Sequence, residues 1–480
     1  MGTRPPRKAP GNRVVRRRLD ATSVIELPRE PKHPSVPNAT THAKRFVAGV
    51  TLLIVIGGLL LMMPFASATH TRTPAIDAFF TAISSISVTG LSTVNTATHW
   101  SFWGQLIILV LVQLGGFGFM VGASLVLVVI GRGLSLRDTL MMQDGSPTMS
   151  LHDVTTLTGR IIRFILISEG IGAILLFTWY IRHYSLPDAI WNSIFLAVCA
   201  FCHAGFDLHT HTSSLQGMND IPVVIVTVGA LIQLGALSYM VLSDVWTKRA
   251  WRPLRLDSKL VLITNGIMIV LASVLFIVVE WNASLSPVET EWKPLAAVFQ
   301  AIAARTAGLS SVDFSQAHTS TLFLWVAVMM VGGAAGSTAG GVKLATVAVL
   351  FLAVISTLRG QEDAQAFGRR LSPALIYRAM SVFALFLTVH FILSLGLAIT
   401  EDTFNSASFS FTSLMFETMS GLTTTGLSTG ITPDLSIPGK LILYLAMFMG
   451  RLGPITAAYA LQRRQKPARY RFPEAHIRIG

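Results

Sequence analysis

Four short phrases hold the residue types that could strip water from a cation: Ser87-Val88-Thr89-Gly90-Leu91-Ser92, Cys202-His203-Ala204-Gly205-Phe206-Asp207, Arg305-Thr306-Ala307-Gly308-Leu309-Ser310 and Thr423-Thr424-Thr425-Gly426-Leu427-Ser428. Each runs from a small or polar residue through Gly to a larger apolar one. The glycines return about every 110 residues, the signature of an internally repeated architecture. Backbone carbonyls, not side-chain charges, would do the binding. A ring of carbonyls can replace the hydration shell of a weakly hydrated monovalent cation, and Gly allows the positive φ that turns successive carbonyls one way. No ring of carboxylates occupies the phrases, which argues against a divalent-ion filter. A rival chemistry lies in the same region, because Cys199-Ala200-Phe201-Cys202-His203 is literally a C-x-x-C-H haem-attachment string with His209 and His211 nearby. The equivalent stretches beside the other phrases lack Cys and His.

The elements that must position these phrases belong to a membrane. Of the 480 residues 52% are hydrophobic and 13% charged, and the mean hydropathy is +0.60. The apolar residues lie in long runs, so a soluble domain is excluded. The net charge of +13 sits in tails and connections between spans, where it reports membrane orientation and not nucleic-acid binding. Two cysteines cannot build a disulfide scaffold.

Residues 1–44 are rich in Arg, Lys and Pro and are expected as a disordered basic tail over anionic lipid headgroups or a partner. Long apolar runs predict spans at Phe46 to Ala68, Phe102 to Ile130, Phe164 to Ile181, Ile221 to Leu242, Leu260 to Val279, Leu322 to Ile355, Met380 to Ile399 and Leu441 to Leu461. The first ends in Ala66-Ser67-Ala68, an imitation of a signal-peptidase site, but its length favours a retained span. Runs too short to cross, Ile76 to Ile86, Ala189 to Ala200, Leu295 to Ala304 and Phe409 to Ser420, each lead into a glycine phrase. The expected fold is therefore an all-α polytopic membrane protein. It has four pseudo-symmetric repeats of span, pore helix, filter and span, giving eight transmembrane helices and four re-entrant loops around one pore. The repeats cover 45–131, 158–247, 256–358 and 372–462, followed by a C-terminal tail at 463–480.

Arg132, Arg137, Arg160 and Arg163, then Lys248, Arg249, Arg252, Arg255 and Lys259, then Arg359, Arg369, Arg370 and Arg378, and finally Arg463, Arg464, Lys466, Arg469 and Arg471 mark the cytoplasmic face. Both termini are expected there. Asp207, Glu280, Glu289, Glu291, Asp313, Glu401, Asp402 and Asp434 are expected as an outer acidic rim that concentrates cations. Non-helical backbone at membrane depth is tolerated where it is buried in protein or lines a wet path. Residues Val88, Thr89 and Gly90, His203, Ala204 and Gly205, Thr306, Ala307 and Gly308, and Thr424, Thr425 and Gly426 are the candidate ion-binding filter. The bland reading of the glycines is close helix packing, which four copies behind half-length helices disfavour.

The set of phrases, through Ser87-Val88-Thr89-Gly90-Leu91 and Thr424-Thr425-Gly426-Leu427-Ser428, resembles the Ktr/Trk/HKT superfamily of potassium-translocating subunits over about residues 45–480. The chain opens directly on the first repeat and closes with Arg469-Tyr470-Arg471-Phe472-Pro473-Glu474, most similar to the KtrB type. The resemblance implies potassium uptake in a bacterial plasma (inner) membrane, with sodium dependence in many members. It also implies a homodimer of four-repeat pores and a cytosolic KtrA-type ring that carries the only nucleotide. Potassium is the cargo, sodium an activator, no cofactor is covalently bound and no catalysis is expected. His203 departs from the polar residue usual in the second filter, and its titratable ring suggests pH-sensitive conduction.

The run Gly332-Gly333-Ala334-Ala335-Gly336-Ser337-Thr338-Ala339-Gly340-Gly341-Val342-Lys343 cannot hold a regular helix, so the sixth span is expected to break into two halves joined by an intramembrane loop. In the resembled family this loop, here with Gly332, Gly333, Gly336, Ser337, Thr338, Gly340, Gly341 and Lys343, is the gate. A likeness to a phosphate loop fails, because Leu344 replaces the magnesium-binding hydroxyl and no strand precedes it. Arg451 lies deep in the last span, at a cost of at least about 2.5–3.5 kcal/mol, which favours a wet or polar interior. By resemblance it holds the gate loop through its carbonyls; snorkelling to the interface is the alternative. Glu169 and His390 are expected to make interhelical contacts. A sodium-selective or weakly selective channel stays open because of Ser87, and a membrane redox protein because of Cys199, Cys202 and His203.

Overall fold

The computed structural model describes residues 39–116, 151–209, 214–361, 363–405 and 408–452. The expectations for residues 1–38, for the second half of Phe102 to Ile130 with Arg132 and Arg137, for His211, and for the end of Leu441 to Leu461 with the tail at 463–480 lie outside the described residues.

The helices longer than one turn among the described residues, in chain order, are α1 (Ala39–Leu61), α2 (Ala75–Ser87), α3 (Phe102–Gly116), α4 (Leu151–Tyr180), α5 (Leu186–Cys202), α6 (Pro222–Ala236), α7 (Ser238–Lys248), α8 (Leu256–Glu280), α9 (Lys293–Ala303), α10 (Thr319–Met330), α11 (Leu344–Leu358), α12 (Pro373–Phe404), α13 (Phe411–Thr423) and α14 (Ile437–Leu452). The fold is not purely helical. Gln365–Ala366 and Arg369–Arg370 form a two-stranded antiparallel hairpin whose turn residues, Phe367 and Gly368, both take positive φ.

Among the described residues three stretches are long and apolar enough to cross a membrane alone: Thr158–Tyr180, Leu256–Glu280 and Pro373–Phe404. Their outer faces carry bare hydrocarbon, as at Ile174, Val278 and Phe391, which suits lipid and not water. The predicted fourth span, Ile221 to Leu242, is instead two helices: α6 and α7 meet at an angle of 97° about Leu237. The predicted sixth span is broken as expected, between α10 and α11. Helix α1 stops at Leu61, and Ala66-Ser67-Ala68 lies beyond it, with Ser67 bridged to Trp100.

The four short helices that precede the glycine phrases, α2, α5, α9 and α13, lie within the core. Their residues Phe80, Phe195, Phe299 and Phe416 are almost wholly buried. Prolines at the first turns of α5 and α9 and the hydroxyl of Ser410 before α13 start these helices. Pro costs nothing at a position whose N–H has no helical partner, and a serine oxygen caps a free N–H. Helices α3, α6 and α14 each bring a glycine against the carbonyl that ends the neighbouring short helix. Gly115 meets Ile86, Gly235 meets Phe201 and Gly450 meets Leu422, each so closely that a methyl would overlap that oxygen.

Candidate functional site: a four-segment throat and the loop beneath it

Helices α2, α5 and α13 end alike. The next residue, Val88, His203 or Thr424, takes left-handed backbone, with φ of 57°, 67° and 54°. Its N–H and that of its successor turn back to the helix. Val88 N donates to Ser85 O at 3.1 Å and Thr89 N to Ser84 O at 2.8 Å, while Thr424 N and Thr425 N do the same with Gly421 O and Ser420 O. This paired closure satisfies the orphan carbonyls of a helix end and is ordinarily built on Gly. The sequence placed positive φ at Gly90, Gly205, Gly308 and Gly426, which show 92°, 70°, 73° and 87°, but gave no sign of it two residues earlier. The third segment differs. Helix α9 runs on through Ala304, Ala307 N donates to Ala303 O, and Thr306 carries the left-handed turn at φ 71°.

The four segments meet. A methyl built on Gly90 would stand 2.7 Å from Gly205 Cα and overlap Ala204 O, one on Gly205 would be 3.2 Å from Gly308 Cα, and one on Gly308 would be 3.1 Å from Gly426 Cα. A methyl on Gly426 would overlap Thr89 O, which closes the circuit in chain order. Carbonyls of Thr89, Ala204 and Thr425 thus sit between adjacent glycines, and no side chain fits there.

The surrounding bonds fix these segments from behind. Ser87 Oγ lies 2.6 Å from Thr89 Oγ1, and Thr423 Oγ1 lies 2.7 Å from Thr425 Oγ1, so the Ser87 hydroxyl is bonded within its own segment. His203 turns its ring away from both cysteines: Nδ1 is 2.9 Å from Thr306 O and Nε2 is 2.8 Å from Ile232 O. A neutral imidazole has one N–H for these two acceptors and an imidazolium has two. Cys202 Sγ points instead to Gln113 and Glu169, so the C-x-x-C-H residues do not converge on one group. Arg305 is fully buried and donates to Asn265 Oδ1, which belongs to a side chain that itself donates to Gln233.

Two positioning residues escaped the sequence reading. The buried Glu417 carboxylate of α13 accepts from Ser428 Oγ at 2.7 Å, Thr429 N at 2.8 Å, Thr429 Oγ1 at 3.1 Å and Thr432 Oγ1 at 2.7 Å. Gln300 of α9 does the same work, its amide oxygen accepting from Ser311 N at 2.6 Å and Val312 N at 3.3 Å. The signal was available: a lone Glu in a half-length apolar helix. The expected acidic rim needs correction. Glu280 and Glu401 are buried caps, the first bound to Ser284 N and His318 N, the second to the backbone and hydroxyl of Ser436. Glu289, Glu291, Asp402 and Asp434 are the exposed members.

Beneath the throat lies the irregular stretch 331–343. Its ends are pinched by Gly332 N to Val342 O and Val342 N to Met330 O, both 2.9 Å. Its body hangs on the end of α6, with Ala334 N donating to Ala236 O at 2.8 Å and Thr338 N to Gly235 O at 3.3 Å, while Thr338 Oγ1 reaches Phe201 O at 3.2 Å. Gly340 packs so closely on Thr423 O and Thr424 Oγ1 that a methyl would overlap both. Gly333 is buried at Ala236 O, whereas Gly336 is exposed beside the half-buried Ser337 and Gly341 takes φ 62°. Lys343 Nζ donates to Ala339 O at 2.6 Å inside the loop. Arg451 does not snorkel: Nη1 donates to Thr338 O at 3.0 Å and Nη2 to Gly115 O. Glu169 makes its expected interhelical contact, accepting from Gln113 Nε2 at 3.2 and 3.1 Å. Among the described residues His390 reaches only Ser394 of its own helix, at 3.4 Å, and Ser394 in turn meets Thr418.

These features define a helical membrane protein built around a central throat of four backbone segments. The chain belongs to the TrkH family, described as cation transport protein, whose profile matches residues 26–468. It is 34% identical over 436 residues to the potassium/sodium uptake protein NtpJ of Enterococcus hirae, covering 90% of this chain and 96% of that protein. It is 32% identical over 434 residues to the Ktr system potassium uptake protein B of Bacillus subtilis, covering 90% and 95%. In fold it matches the crystal structure of the potassium transporter TrkH from Vibrio parahaemolyticus, with a TM-score of 0.69 at 18% identity over 90% of this chain and 87% of that one.

Proposed function

We propose that this protein takes up potassium across a bacterial plasma membrane through carbonyls of residues 88–90, 203–205, 306–308 and 424–426, with the 332–343 loop and Arg451 as the gate below them. The observation that carries the reading is the closed circuit of four glycines, Gly90 to Gly205 to Gly308 to Gly426 and back to Thr89. Backbone oxygens in such a circuit offer a dehydrated monovalent ion its coordination. The membrane potential drives entry, worth about 2.3 kcal/mol per charge per 100 mV. Four units of span, pore helix, filter and span, eight crossings and both termini in the cytoplasm complete the architecture. A homodimer working with a cytosolic nucleotide-binding ring, sodium acting as an activator and anionic lipids as neighbours extend it. The names of NtpJ and of the Ktr protein of Bacillus subtilis support uptake of this ion class.

The name of NtpJ, a potassium/sodium uptake protein, also favours a second reading, a channel weakly selective between the two ions. Rubidium flux into proteoliposomes with competing sodium tests both. Potassium uptake requires flux that sodium does not block, and flux that Gly90→Ser and Gly426→Ser abolish. Equal competition by sodium leaves the second reading, and flux unchanged by both substitutions removes the filter.

A further inference from the structure

The break at Leu237 gives the cytoplasmic side of the molecule an element that no cation path requires. Helix α6 has 15 residues, about 22 Å of length, against a hydrocarbon core of about 30 Å. On the topology proposed above it enters from the outer side and is too short to span that core, and at its end, beside Phe201 O, the chain turns through 97° into α7. Helices that lie in the membrane plane settle about 5–10 Å into the headgroup boundary.

The two faces of α7 differ as such a helix demands. Ser238, Val241 and Asp244 are buried. Val241 shares a small apolar cluster with Val261 and with Val331, Ala334 and Leu344 of the loop and its exit. Asp244 ties α7 to the next connection, accepting from Arg255 N at 2.9 Å and Ser258 Oγ at 2.7 Å, and pairs with Lys248 at 2.8 Å. On the other side Trp246 is 78% exposed and Trp251 46% exposed. Arg249 between them and Arg252 just after Trp251 are exposed and make no ion pair among the described residues. Tryptophan beside arginine free of carboxylates is the composition of a surface that meets anionic headgroups.

We infer that α7 with the turn to Arg252 is a docking surface for anionic phospholipid, and that occupancy is transmitted to the 331–343 loop through Val241 and the Gly235 and Ala236 carbonyls. The transmission rests on the reading of that loop as the gate, and the lipid contact on the proposed topology that puts α7 at the cytoplasmic side.

The test uses the full chain in vesicles of phosphatidylcholine alone or mixed with phosphatidylglycerol, either lipid brominated. Brominated phosphatidylglycerol is expected to quench tryptophan emission more than brominated phosphatidylcholine does, and Trp246→Phe to remove much of that excess. Arg249→Gln with Arg252→Gln is expected to weaken the preference about fivefold per charge removed. Rubidium uptake is expected to differ severalfold between the two vesicle types in the unaltered protein and to become equal in the double variant. Quenching without preference for the anionic lipid, or a preference the double variant retains, overturns the lipid surface. Uptake indifferent to lipid while Arg451→Gln still alters it overturns the transmission; uptake indifferent to both indicts the gate assignment instead.

Discussion

At the throat, Val88, His203 and Thr424 close their helices with bonds to the same helix, so each segment is shaped by residues immediately before it. The loop beneath draws on the far chain: Thr338 alone takes a carbonyl 137 residues away at Phe201 and is held by Arg451 from 113 residues away. Locally closed backbone stays put when one distant contact is lost. A segment hung from remote carbonyls has a second position within reach as soon as one tether goes, and low local stability is where moving elements are found.

The largest effect expected from this contrast comes from breaking the throat itself. Gly426→Ser at φ 87° meets the left-handed penalty of about 1–2 kcal/mol and collides with Thr89 O, so rubidium flux should fall to the background of empty vesicles while the protein elutes normally on size exclusion. Loosening the loop should act in the opposite direction. Arg451→Gln removes bonds from a charged donor, about 1.5–3 kcal/mol each, and uptake should rise by about tenfold or more in the same assay. A fall, or no change, would deny Arg451 the role of a latch.

Behind the throat, Glu417→Ala leaves the four donors of Ser428, Thr429 and Thr432 without their acceptor and should cost about 1–3 kcal/mol, read as a lowered thermal unfolding midpoint in detergent. Glu417→Gln should recover most of it, because Gln300 already performs that task with an amide. The smallest effect belongs to Thr338→Val, which loses one neutral bond to Phe201 O, about 1 kcal/mol, and should raise uptake by less than Arg451→Gln does.

The same contrast governs what was legible in the sequence. Ile76 to Ile86 became Ala75–Ser87 and Phe409 to Ser420 became Phe411–Thr423, because a short apolar run ending at a glycine phrase is a local signal. The broken sixth span was legible from its glycines. The break at Leu237 was not: apolar residues continue through Val241 and Leu242, and a tertiary partner, the loop that takes the carbonyls of Gly235 and Ala236, replaces the lost helical bonds. Left-handed Val88 and Thr424 were hidden for a different reason: the closure is local, but β-branched residues resist that conformation, so the residue types give no sign of it. Glu280 and Glu401 read as solvent-facing acids because a cap for a helix far along the chain leaves no local trace.

The throat is assembled from successive lengths of one polypeptide, so a substitution enters it in single dose, unlike the fourfold dose of a homotetramer. One quadrant can therefore carry an imidazole and the next a buried guanidinium, at His203 and Arg305, with the remaining two left as plain hydroxyl-bearing backbone. The lining of the throat can therefore be altered one quadrant at a time, by evolution or by an engineer.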